Sequence, residues 1–345
     1  MNVLRQRRGR SIRTATVLTV IAATALGLSA CGSNADSGSA GSSSKQLNLV
    51  GFAVIKSAYD DLGAAFAKTD AGKGVTIQGS FGASGAQSRA VIAGQKADVV
   101  ALSLSPDVKN IAEAGKIATS WDSGANKGIV SDSVVVIAVR KGNPKQIKGW
   151  ADIIKPGVGI VTADPGTSGS AKWNLLAAYS QALGASKDEA AAKDYLGSFV
   201  KNVVSWNDSG RTATDAFVKG TGDVLISYEN EAIAARAAGV ELDYIVPDST
   251  FLIENPLAVT KSAPPAATEF AKYVVSPEGQ KILVSKGFRP IDPSVTASDV
   301  KGANDPANPF PKPTTVTTVA DLGGWSTVND SLFDKDKGLV AELRK

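Results

Sequence analysis

The feature that most constrains this chain is an alternation, sustained from Leu47 to about Pro247, of short apolar runs with longer stretches of helical spacing. The runs are "LNLVGF", "VTIQGSF", "ADVVALSL", "SVVVIAV", "VGIVTAD", "NVVSW", "DVLISY" and "LDYIVP", all rich in Val, Ile and Leu. Apolar runs this short read as buried strands, and helical spacing between them is the signature of βαβ units and parallel sheets. Between "VGIVTAD" and "NVVSW" the spacing predicts two helices, Ser168–Leu183 and Lys187–Val200, split at Gly184. Trp173, Leu176, Tyr179 and Leu183 recur at three and four in the first and are expected to face the core. After Thr260 the pattern turns helical, in "PPAATEFAKYVVSPEGQKILVSKG", and then runs into a Pro-rich tail. Two sets of βα units joined in the middle predict an α/β fold of two doubly wound lobes, each a mostly parallel sheet flanked by helices. In such sheets ligands bind at the carboxyl ends of strands. A length of 345 residues suits two lobes of ordinary size.

The first thirty residues do not belong to that pattern. Arg5, Arg7, Arg8, Arg10 and Arg13 precede an apolar run from Thr14 to Leu28, followed by "LSAC" ending at Cys31. A basic leader, an apolar stretch too short for a comfortable membrane span and a small-residue cleavage site make a secretory signal peptide. "LSAC" resembles the bacterial lipobox, whose cysteine takes a lipid, so Cys31 is the expected lipidation site. It is the single cysteine, which leaves no intramolecular disulfide. Residues 32–45, "GSNADSGSAGSSSK", read as a flexible tether. The full chain has 37 basic and 33 acidic residues; without the five leader arginines 32 remain against 33. The basicity is therefore a targeting feature, and no nucleic-acid partner is expected.

Histidine is absent from the sequence. Ser-His-Asp triads, Cys-His pairs and HExxH zinc sites are thereby excluded, and no metal or other cofactor is expected. What remains for an enzyme is Ser-Lys or carboxylate chemistry, for which Ser84 or Ser168 with Lys172 would be the candidates. "GASGA" nearly fits the nucleophile elbow G-x-S-x-G, but Ala86 holds the last glycine position. No P-loop occurs, nor a G-x-G-x-x-G after the first run.

Several run-to-helix turns are made of small donors. "SFGASGAQ" places Ser84 at the start of a helix reaching about Gly94, and "DPGTSGSAKW" places Ser168, Gly169 and Ser170 at another. "NDSGRTATDAF" places Gly210 and Arg211 at a third, and the end of the first run places Ala53. Ser and Gly at such positions ordinarily satisfy the helix itself. Recurrence in both halves is more informative, because converging helix N-termini form a positive site without net charge.

At these residues the chain resembles the sulfate/thiosulfate-binding proteins of bacterial ABC importers. The resemblance is carried by "FGASGAQSRAVIAGQKADVVALSLSPDV", "VRKGNPKQIKGWADIIKPGVGIVTADPGTSGSAKWNLLAA", "GDVLISYENEA", "SPEGQ", "GFRP" and a late "GGW". It implies a two-lobed periplasmic-binding-protein fold of type II, with residues 46–131 and 250–345 in one lobe and 132–249 in the other. It also implies an uncharged set of donors to an oxyanion: the amide of Ala53, the amide of Ser84, the hydroxyl of Ser168 and the amides of Gly169 and Ser170. The donor after "DSG" is Gly210 or Arg211. Where better-known members place a tryptophan the chain has Tyr228, whose hydroxyl resembles the donor of molybdate-binding relatives. The implied partners are sulfate or thiosulfate, with molybdate or tungstate as the alternative ligand, and a permease driven by a cytoplasmic ATPase. The protein is expected to work as a monomer, outside the cytoplasm and lipid-anchored to the outer face of the cytoplasmic membrane. A site made only of donors suits sulfate, which carries no proton at neutral pH, and penalises protonated phosphate. Asp208 is the one carboxylate that the sequence places near these turns. Glu229 and Glu231 are expected to form salt bridges within a lobe rather than to catalyse, on a helix face turned to solvent, and "RKGNP" is expected to be a strand exit.

Overall fold

The computed structural model describes residues 45–345, so the leader, Cys31 and nearly all of the tether lie outside the described residues. The first five runs become strands in order. β1 (Lys45–Phe52) leads through a single 3-10 turn at Ala53–Ile55 into α1 (Lys56–Phe66), then β2 (Val75–Gly82) and α2 (Ser84–Ile92) follow. β3 (Val99–Ala101), α3 (Ser105–Glu113), β4 (Ile129–Arg140), α4 (Trp150–Ile153) and β5 (Ile160–Ala163) come next. The middle of the chain adds α5 (Gly169–Leu183), α6 (Glu189–Asn202), β6 (Val203–Asn207), α7 (Gly210–Val218), β7 (Val224–Tyr228), α8 (Glu229–Ala237) and β8 (Leu242–Ile245). The return segment holds β9 (Ser249–Val259), α9 (Pro265–Val275), α10 (Pro277–Ser285), β10 (Thr315–Thr317), α11 (Gly324–Val328) and α12 (Leu339–Leu343).

The strands join in the order β2-β1-β3-β9-β4-β7-β5-β6, with β10 on β9 and β8 on β4. β1 pairs in parallel with β2 and β3, and β5 pairs in parallel with β6 and β7. These two parallel groups are the expected halves. They are joined by two long strands that run antiparallel to the strands they meet in each half: β9 lies on β3 through Leu257–Val259, and β4 lies on β7 and β8 through its second half. Where they meet, Ser131–Val134 of β4 pairs with Leu252–Asn255 of β9. β9 is missing from the apolar runs of the sequence because Glu254, Asn255 and Pro256 interrupt it. Its partners on both sides make it a strand all the same, an instance of tertiary pairing overriding local preference.

α5 departs from a one-faced helix. Besides Trp173, Leu176 and Leu183, its residues Asn174, Leu175, Ala177, Ala178 and Ser180 are buried, whereas Tyr179 is only partly so. A helix enclosed on nearly all sides is a core element, and this one runs from the site turn into the centre of the molecule. Gly184, at φ 60°, ends it, and Asp188 caps the next helix by accepting from the amide of Ala191. Arg140, at the end of β4, donates to the carbonyls of Phe217, Thr221 and Gly222, so the "RKGNP" stretch ties a strand exit to the end of α7.

Candidate functional site

The three donor turns open helices of nine, fifteen and nine residues. Each leaves its first amides without an intrahelical acceptor. α2 begins at Ser84, and the fully buried Ser84 hydroxyl donates to Asp107 Oδ2 at 2.5 Å while accepting from the Ser103 amide at 3.0 Å. With its side chain used inside the first half of the sheet, Ser84 has only its amide to offer. Burial pushes the Asp107 carboxyl upward, opposed by that hydrogen bond and by Lys172 and Arg89.

The Ser168 turn is organised differently. The Ser168 amide donates to the carbonyl of Asp164 at 2.9 Å, and its hydroxyl accepts from the Ser170 amide at 3.2 Å. Ser168 therefore keeps a hydroxyl proton free, while the Ser170 amide, one of the expected donors, is engaged by its own helix cap. The Ser170 hydroxyl is buried and has no hydrogen-bond partner. A buried orphan hydroxyl costs on the order of 1–3 kcal/mol, so it marks a place where a partner belongs. At the third turn Ser209 caps α7 with a reciprocal Ser209–Thr212 box, leaving the amides of Gly210 and Arg211 at the helix start.

These turns meet across the two halves of the sheet. A Cβ placed on Gly169 would lie 2.7 Å from both Ser103 Oγ and Leu104 Cγ, one on Gly85 would lie 3.1 Å from the Thr167 carbonyl, and one on Gly210 would lie 3.3 Å from Val54 Cγ2 across the halves and 2.8 Å from Ser170 Oγ within its own. Only glycine permits so close an approach here. Tyr228 ends β7 with no exposed surface, and its hydroxyl lies 2.6 Å from Ser103 Oγ. Burial raises the phenol far above its ordinary value, so it stays a neutral hydroxyl. Ala53 and Arg211 line, with Lys56 and Phe81, a cavity of about 530 Å³. Two larger cavities, of about 650 and 630 Å³, contain none of the eight candidate residues.

Asp208 lies beside the Ser168 turn as expected, and Glu229 and Glu231 form the expected salt bridges but away from solvent. Asp208 is exposed, and only its carbonyl is used, by Thr167 Oγ1. Two further carboxylates lie close: Asp107, which sequence reading did not single out, and Glu231. Glu229 and Glu231 are both wholly buried rather than on a solvated face. Glu229 takes a two-pronged contact from Arg289 at 2.7 and 3.0 Å. Glu231 has Arg211 Nε at 3.2 Å, yet neither of its oxygens is in hydrogen-bond geometry. Burial raises both carboxyls, opposed in each case by the arginine. Lys172 turns away from the serines to Asn329 Oδ1 at 2.8 Å and to the ring of Phe333. Ser103 is the site residue that sequence reading missed: "ALSL" reads as strand, and its only signal was a polar residue inside an apolar run.

Small-residue turns at strand ends, facing each other across two parallel groups joined by two crossing strands, make the architecture of a two-lobed binding protein. Residues 47–289 match the family model described as bacterial extracellular solute-binding protein, and the chain belongs to that family. A sulfate-binding protein of Synechococcus elongatus is 39% identical over 94% of this chain and 91% of its own length. A thiosulfate-binding protein of Pseudomonas aeruginosa is 32% identical over 86% and 91%. Among solved structures, the sulfate-binding protein SubI from Mycobacterium tuberculosis H37Rv is 44% identical, with a TM-score of 0.80 over 84% of this chain and all of that one.

Proposed function

We propose that this chain is a lipid-anchored receptor that binds sulfate, with thiosulfate as its near alternative, and hands it to an ABC permease driven by a cytoplasmic ATPase. The observation that carries this reading is the convergence of three helix starts and a buried hydroxyl without a partner where the two halves of the sheet meet. The sulfate- and thiosulfate-binding relatives support the choice of anion. The contributing groups are the amides of Ala53, Ser84 and Gly169, the hydroxyls of Ser168, Ser170 and Tyr228, and the amide of Gly210 or Arg211. Each helix start adds partial positive charge toward a dianion. Asp107 already accepts from Ser84, and a site whose contributing groups are amides and hydroxyls penalises a protonated oxyanion.

The lobes divide near residues 131/132 and 249/250, where β4 and β9 pass from one half to the other, and closure is a rotation about those strands. The anchor is Cys31, with residues 32–45 as the tether. The protein acts by binding and not by turnover: the Ser84 hydroxyl gives its proton to a carboxylate, and Lys172 is engaged elsewhere. Calorimetry with sulfate, thiosulfate, molybdate and phosphate tests the reading. Sulfate at 100 times its Kd should also stabilise the fold by roughly 2.7 kcal/mol. A response to molybdate or phosphate with none to sulfate or thiosulfate overturns the assignment.

A further inference from the structure

Ser103 sits in the turn between β3 and α3 with its backbone groups and its hydroxyl oxygen engaged, and it has no exposed surface. Its amide donates to Ser84 Oγ, and its carbonyl accepts from Asn255 Nδ2 at 3.3 Å and Trp173 Nε1 at 3.1 Å. The same Trp173 N–H reaches Ser103 Oγ at 3.2 Å, and that oxygen is 2.6 Å from the Tyr228 hydroxyl. An indole N–H can only donate, so the Ser103 oxygen is an acceptor on the Trp173 side. Either hydroxyl can donate in the Ser103–Tyr228 contact. With Ser103 as donor its proton lies on the phenol oxygen and the Tyr228 proton is free to point onward, with Ser170 Oγ near it but outside hydrogen-bond geometry.

We propose that Ser103 is a specificity residue, the middle of a relay in which Trp173 donates to Ser103 and Ser103 donates to Tyr228, fixing the Tyr228 hydroxyl as a donor to the bound anion. A lone phenol is ambivalent: it donates to sulfate and equally accepts from a P–OH group. Occupying its oxygen with the Ser103 proton removes the second option, and a chain of hydrogen bonds running one way strengthens its last donor. The position fits this role, since Ser103 Oγ is also the atom that a side chain at Gly169 would strike, on the far side of the closure contact. The inference rests on the anion occupying these turns, as proposed above.

Calorimetry at pH 8 with sulfate and with hydrogen phosphate, on the whole mature protein and on Ser103→Ala, Tyr228→Phe and the double variant, tests it. Ser103→Ala should weaken sulfate about tenfold, the size of one hydrogen bond, and weaken hydrogen phosphate less, so that the ratio of the two affinities falls. In the Tyr228→Phe background Ser103→Ala should change sulfate affinity by less than about twofold, because the two residues act as a unit. Ser103→Cys, nearly the same shape with a poor donor, should behave like Ser103→Ala and guards against a packing artefact. Additive effects, or an unchanged affinity ratio, overturn the relay while leaving the site reading standing. No sulfate or thiosulfate binding by the unaltered protein overturns the site reading, and the relay with it.

Discussion

The two walls of the site are made from the same materials, strand ends and small-residue helix starts, and they use their hydroxyls in opposite ways. In the first half Ser84 and Ser88 spend their protons on Asp107, on its carboxylate and its carbonyl, so that wall faces the site with backbone amides. In the second half Ser170 has no partner, Ser168 keeps a free proton after capping its helix, and Tyr228 stands at the junction. Amides pinned in a strand-to-helix turn are rigid and alike for every ligand, whereas free hydroxyls can distinguish one ligand from another. On the proposed reading the first wall supplies mainly affinity, and choice is set by the hydroxyls of the second wall with Ser103 behind Tyr228.

The contrast is sharpest if charge is placed in the second wall. Ser168→Glu would put a carboxylate into the buried turn against a dianion, and sulfate affinity should fall more than about a thousandfold by calorimetry, because an unpaired buried charge costs several kcal/mol. Retained affinity would remove Ser168 from the site. Gly169→Ala comes next. Its methyl would meet Ser103 and Leu104 of the other half, and overpacking of about 1–3 kcal/mol should appear as a roughly tenfold to hundredfold weaker sulfate Kd together with a lower melting temperature.

Asp107→Ala tests whether the first wall is scaffold. It should lower stability by about 1–3 kcal/mol in urea melts by orphaning the Ser84 hydroxyl, with sulfate Kd shifting less than about threefold. A larger loss of binding than of stability would show that Asp107 serves the ligand directly. The smallest effect is expected at the joint of the walls. Burial, with Glu254 adding and Arg289 opposing, pushes the Asp132 carboxyl up from 3.8 to about 7. A raised carboxyl keeps its proton in the folded chain where the unfolded chain has lost it, so its contribution to stability falls as pH rises from about 4 to about 7 and is constant above that. Asp132→Asn should accordingly raise the melting temperature more at pH 8 than at pH 5, and equal shifts would place the titration elsewhere.

Much of this was readable in the sequence. The turns at Ser84, Ser168 and Gly210 start helices as their small polar residues predict, because capping is settled within a few residues of chain. The eight apolar runs are strands for the same local reason. β9 was not readable, since Glu254, Asn255 and Pro256 look like a loop until β3 and β4 pair with them. The burial of Glu229 and Glu231 was not readable either: their arginines arrive from Arg289 and Arg211, distant in sequence.

The sequence by itself determined that this is a chain of α/β units with a basic leader, no histidine chemistry and donor-rich turns at strand ends. These are matters of composition, period and caps. Only the tertiary structure decided where each hydroxyl proton goes, because Ser103 and Tyr228 are 125 residues apart and Ser84 and Asp107 are 23 apart. A hydroxyl donates to whichever acceptor folding brings within about 3 Å, and no local pattern carries that information.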